Sequence, residues 1–160
     1  VSELRFRRER FGPLTLPSGA HIGGIDQAFT LRGEPRADGS NVVLAFHSLT
    51  GTPDPAAWWP KLVGPGLSLD PAEVAILTPV LAGSCFGTRV LGDDGVESEP
   101  EVPSPGSIPD PQDPGPLPNG LETRDHAYLV GLLLDRLGIA RVRLALGGSL
   151  GGMVALEWAA

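Results

Sequence analysis

Residues 141–160 read RVRLALGGSLGGMVALEWAA, and the change of pattern inside this stretch decides the fold. Arg141-Val142-Arg143-Leu144-Ala145-Leu146 alternates and then turns apolar, as a strand does on entering a buried sheet. Gly147-Gly148-Ser149-Leu150-Gly151-Gly152 follows, a serine with glycines on both sides. Beyond it Leu150, Met153, Val154 and Glu157 recur at helical spacing, with Trp158 next. Strand, sharp turn and helix with a serine at the apex is the setting of a nucleophile elbow. Such a turn strains the serine backbone, so its neighbours must be nearly free of side chains. A helix that starts at the serine turns its free N–H groups and its dipole toward any negative charge that develops there. Ser149 is therefore the candidate nucleophile, and the backbone N–H of Leu150 a candidate oxyanion donor. The acid and the histidine of such a site follow the nucleophile in chain order. Ala160 lies only about three helical turns past Ser149, so both are expected beyond it, in a protein about twice as long.

A second constellation lies upstream. Asn41-Val42-Val43-Leu44-Ala45-Phe46 is a continuous apolar run and predicts a buried strand. His47-Ser48-Leu49-Thr50-Gly51 follows it directly, and a loop in this place supplies the other oxyanion donor of an elbow site, here the N–H of Leu49 or of a neighbour. Two fixed donors stabilise a carbonyl oxygen taking on charge better than mobile water does, by roughly 3–4 kcal/mol for each. His47 sits at a strand end and precedes the serine, so it is expected to orient the loop with its ring nitrogens, not to act as the base. His126 and His21 have no partner pattern and are expected at the surface or in packing. Three scattered histidines and one cysteine have no ligand spacing, so no metal site is expected.

The remaining punctuation orders the chain. Leu4-Arg5-Phe6 and Leu14-Thr15-Leu16 are short strand candidates separated by Gly12-Pro13 and followed by Pro17-Ser18-Gly19. Arg5, Arg7, Arg8 and Arg10 then suit the outer face of an edge strand. Ile25 to Leu31 and Val74 to Thr78 are further strands. Eight of the 17 prolines fall between Pro100 and Pro118, so residues 92–121 predict a long acidic loop without regular structure. Arg124 to Leu137 predicts a helix, with Thr123 as its N-cap and Gly138 ending it. An antiparallel start followed by strands alternating with helices gives the α/β class, a mostly parallel sheet with helices on both faces. Residues 1–160 are expected to form the N-terminal part of one such domain, incomplete in this chain.

Composition narrows the function. Hydrophobic residues make up 41% and charged residues 19% of 160 positions, which fits a globular domain with a core. No apolar run reaches the length of a membrane span, and the charged N-terminal stretch does not read as a signal peptide, so none is expected. The single Cys85 excludes an internal disulfide framework and fits a reducing, cytoplasmic setting. The net charge is −7, and from Val90 to Thr123 there is no Lys or Arg. A phosphate-binding face needs the opposite sign, so nucleic acid is not expected as a partner.

Taken in order, these segments resemble the homoserine O-acetyltransferase family of the α/β-hydrolase superfamily, in its N-terminal half. The resemblance is carried by Leu16-Pro17-Ser18-Gly19, Ala37-Asp38-Gly39-Ser40-Asn41, His47-Ser48-Leu49-Thr50-Gly51 and Trp58-Trp59. Gly83-Ser84-Cys85-Phe86-Gly87-Thr88, Thr123-Arg124-Asp125 and Gly147 through Trp158 continue it. It implies an α/β-hydrolase fold and Ser149 as the nucleophile, with the amides of Leu49 and Leu150 forming the oxyanion hole. It also implies acetyl-CoA as acyl donor, L-homoserine as acceptor, no bound cofactor, no membrane, a role in methionine biosynthesis, and allows a homodimer. Arg89-Val90-Leu91-Gly92 and the proline-rich stretch replace the small residues that usually follow Gly87-Thr88 in the family. Other acceptors, a succinyl-CoA donor, an esterase and an inactive scaffold therefore stay open.

Overall fold

The computed structural model describes residues 4–84, 86–91 and 121–160. Of the expected acidic loop 92–121, only Leu121 falls within these residues. Strands β1 (Arg5–Phe11), β2 (Leu14–Thr15), β3 (His21–Ile22), β4 (Gly24–Arg32) and β5 (Val42–Phe46) come first. The short helix α1 (Pro55–Trp58), β6 (Ala75–Pro79) and β7 (Arg89–Leu91) follow, then α2 (Thr123–Arg136), β8 (Leu144–Gly147) and α3 (Leu150–Ala159).

The main sheet runs β1-β4-β6-β5-β8, with β7 also paired to β4. Its early part is antiparallel: β4 pairs in that sense with β1, β6 and β7. Its later part is parallel, with β5 between β6 and β8. Both halves of the expected order are present, joined at the β4–β6 pair.

Alternation along β5 assigns the two faces. Leu44 and Phe46 join Phe29, Leu31 and Leu77 under α2 and α3, where Val130, Leu133 and Val154 cover them. Val43 and Ala45 join Ile76 on the other face, covered by α1 and the segment after it through Trp58, Trp59, Val63 and Leu69. The period of two in a strand separates these sets. Burying each such aliphatic or aromatic side chain contributes about 1.5–3 kcal/mol, and both sets anchor the end of β5.

Several boundaries move. β1 extends to Phe11, past the expected alternating run, because its whole length pairs with Arg5↔Leu31 through Phe11↔Ile25. Arg8 does not lie on an outer face: its side chain is 18% exposed and pairs with Asp26 at 3.1 Å. The last strand begins at Leu144 instead of Arg141 and runs on to Gly147. α2 is capped one residue early, at Glu122, whose N–H donates to Asp125 Oδ2 at 2.9 Å. Met153 and Leu156 face outward at 62% and 75% exposure; Leu150, Val154, Ala155 and Trp158 form the packed face of α3.

Candidate active site

The register of two neighbouring strands assembles the site. Phe46 pairs with Gly147, so the chain leaves β5 at His47 beside the place where it leaves β8 for Ser149. Ser149 stands at the N-cap of α3, exposed, with φ 55 and ψ −127. Among the described residues it alone has a positive φ without being glycine. Holding such a conformation costs on the order of 1–3 kcal/mol.

The glycines around it do different work. A Cβ on Gly147 would lie 2.2 Å from the Gly151 carbonyl oxygen. A Cβ on Gly151 would lie 2.2 Å from the Phe46 carbonyl oxygen and 2.5 Å from that of His47. Gly147 lets the end of β8 fold closely back on the start of α3, and Gly151 lets that helix start press against the end of β5. Gly148 has open space around it, and Gly152 is only moderately crowded. The sequence shows four equivalent glycines; the structure needs two of them for close backbone approach.

The loop after β5 is pinned along its length. Gly51 N–H donates to the Ser48 carbonyl at 2.9 Å. Trp58 Nε1 donates to the Thr52 carbonyl at 3.0 Å, and the Thr30 hydroxyl donates to the Pro53 carbonyl. Arg32 binds the Asp54 carboxylate at 3.2 Å, and that carboxylate also caps α1 by accepting from Ala56 N–H. Thr30 and Arg32 carry no motif that ties them to this loop. The signal for Trp58 was present in Trp58-Trp59, but nothing in the sequence says that an indole N–H reaches back six residues. Neither Leu49 nor Leu150 donates its N–H to a backbone carbonyl of the described residues.

His47 is fully buried at the foot of this loop. Its Nε2 accepts from Leu81 N–H at 3.0 Å, and its Nδ1 lies 2.6 Å from the Ser48 carbonyl oxygen. Both ring nitrogens are therefore engaged with backbone, as an orienting residue requires. Burial lowers its pKa below the usual histidine value, although the Ser48 carbonyl pulls the other way. His126, in the first turn of α2, is buried as well; burial lowers its pKa, Asp125 opposes this and His47 adds to it. His21 is exposed, with Nδ1 3.0 Å from the Thr15 hydroxyl. Among the described residues no group of three or more His, Cys, Asp or Glu is placed to hold a metal ion. No helix of the described residues is long and apolar enough to cross a membrane.

No protein-family profile matches the chain. A homoserine O-acetyltransferase of Nostoc punctiforme is 36% identical over 147 residues, covering 92% of this chain and 38% of that protein. One of Deinococcus radiodurans is 38% identical over 153 residues, covering 96% of this chain and 39% of its own. Among solved structures, esterase E22 superposes with a TM-score of 0.72 at 22% identity over 98% of this chain and 44% of that one. A homoserine O-acetyltransferase from Staphylococcus aureus gives 0.69 at 23% identity over 98% of this chain and 42% of that one. The fold is thus that of the α/β-hydrolases, and the chain spans about two-fifths of the length of the curated relatives it matches.

Proposed function

We infer that this chain, related over nine-tenths of its length to the N-terminal part of homoserine O-acetyltransferases, carries the nucleophile and oxyanion half of an acyl-transfer site. The observation that carries the reading is the strained Ser149 at the head of α3, set beside the 47–51 loop by the Phe46↔Gly147 register.

In the proposed reaction Ser149 Oγ attacks the thioester carbonyl of acetyl-CoA. The C–O bond forms as the carbonyl oxygen takes the negative charge, which the N–H groups of Leu49 and Leu150 stabilise. Collapse breaks the C–S bond, and CoA leaves as the thiol with the proton taken from Ser149. The hydroxyl of L-homoserine then attacks the acetyl-serine ester, releases O-acetylhomoserine and returns the proton to Ser149. Splitting one acyl transfer into two steps lets a single oxyanion hole serve both. The base that moves these protons is proposed to lie in residues beyond this chain, because both nitrogens of His47 are occupied by backbone groups. Acetyl-CoA and homoserine act as substrates, and no bound cofactor is required.

The test is mass spectrometry of the complete protein carrying this chain, quenched after mixing with acetyl-CoA. A 42-dalton adduct (about the mass of an acetyl group less one proton) on Ser149, discharged by homoserine, is expected. No adduct with acetyl-CoA or succinyl-CoA would remove the acyltransferase reading. The likeness to esterase E22 makes a hydrolase the second reading, which an adduct discharged equally fast by water alone would favour.

A further inference from the structure

We propose that His47 is a positioning residue: its imidazole fixes the orientation of the Ser48–Leu49 peptide and so aims the Leu49 N–H at the developing oxyanion. The proposal rests on the acyl-transfer reading above and adds to it a specific tautomer and a specific peptide plane.

The tautomer follows from the partners. A backbone N–H can only donate, so Nε2, which faces Leu81 N–H at 3.0 Å, must present its lone pair. A carbonyl oxygen can only accept, so Nδ1, 2.6 Å from Ser48 O, must carry the proton. The ring is neutral in this arrangement, as its full burial demands. Protonating Nε2 would set two donors against each other at Leu81.

The peptide plane follows from the carbonyl. Ser48 O receives the His47 Nδ1–H and also the Gly51 N–H at 2.9 Å. The described residues contain no cis peptide bond, so Ser48–Leu49 is trans and planar. In a trans peptide the N–H points opposite to the C=O. Drawing the Ser48 carbonyl inward onto the buried ring therefore turns the Leu49 N–H away from that ring, at a residue that is 53% exposed. Two donors on the carbonyl also polarise the peptide and make its N–H a better donor. The imidazole itself is held by Leu81, just past the end of β6, so the sheet sets the loop through this ring. Preorganised donors are useful because they need not reorient as charge develops.

The experiment uses the complete protein and two substitutions. His47→Leu keeps bulk and removes both ring bonds; His47→Asn restores a donor near the Nδ1 position. His47→Leu is expected to lower kcat by roughly 10²-fold, the scale of losing one oxyanion donor, with KM for acetyl-CoA changed by less than about 3-fold. His47→Asn is expected to recover at least about tenfold of that loss. A folded His47→Leu protein with parental kcat, or an Asn variant no better than the Leu variant, overturns the proposal. Nitrogen-15 NMR of the parent reads the ring without any assay. A proton on Nδ1 and none on Nε2 at neutral pH is expected, and the reverse tautomer or a doubly protonated ring overturns the proposal even if His47→Leu fails to fold. If the parent forms no acyl-enzyme at all, the functional reading fails on that result, and the NMR still decides the tautomer separately.

Discussion

Ser149 shows most directly what one residue costs and why it is kept. Its φ of 55 with ψ −127 is a region that a residue bearing a Cβ enters only under constraint. Ser149→Gly should therefore raise stability by about 1 kcal/mol, the relieved strain less the entropy that glycine adds to the unfolded chain. Chemical denaturation would show it as a higher midpoint, together with complete loss of acylation. A lower midpoint would mean that the turn is not strained. The serine and its glycines were legible in the sequence because a backbone requirement leaves a compositional trace. The role of His47 was legible only as a direction, since strand-end placement argued against a base but did not name Leu81 or Ser48 as partners. The two buried histidines also give the protein a pH dependence. Burial lowers the pKa of both His47 and His126 in the folded protein, so below about 6.5 the unfolded chain takes up protons that the folded one refuses. Their contribution to stability is fully present above 6.5 and is lost as pH falls below it toward the lower folded values. Denaturation midpoints should drop between pH 7.5 and 5.5, and His126→Gln should make that drop shallower.

At the scale of elements, α2 shows how local rules carry through to tertiary structure. Gly138 has φ 68, its N–H donates to the Asp135 carbonyl, and Ile139 N–H donates to the Leu134 carbonyl. This is the Schellman ending, with Ile139 packed in the same core cluster as Leu134. A Cβ on Gly138 would meet nothing within 4 Å, so Gly138→Ala tests backbone conformation alone. It should cost about 1 kcal/mol in thermal or chemical unfolding, and Gly138→Asn should cost less. The other end is less local. Asp125 accepts from the N–H of the N-cap Glu122 and from Ser18 N–H, 107 positions away in the chain. The helix and its stop could be read from periodicity and one glycine. The tie to the Pro17-Ser18-Gly19 turn could not, because no periodicity records a contact between distant segments. For the same reason β8 begins three residues later than its apolar pattern does: pairing with Val43 through Phe46, not hydrophobicity, sets its limits.

Over the whole molecule, the fold class was legible because strand and helix periods alternate after β4, while the strand order was not. β8 occupies one end of the described sheet, with Leu144 at 45% exposure, and α3 beside it exposes Met153 and Leu156. A strand paired on one edge only, next to exposed apolar side chains, favours association. Residues 1–160 expressed alone should therefore self-associate by light scattering and should release no CoA from acetyl-CoA and homoserine above the uncatalysed rate. Turnover near one per second, an ordinary enzyme rate, would place the base within this chain after all. The order of strands has a further consequence, in time. β4 pairs with β1 on one side, and that hairpin can close as soon as Arg32 has been made. Its other side waits for β6, whose last residue, Pro79, comes 47 positions later (79 − 32). At about 5–20 residues per second, a ribosome needs roughly 2–9 seconds to deliver it. Phe29 and Leu31 wait longer still, because the helices that cover them, α2 and α3, begin only at Thr123 and Leu150.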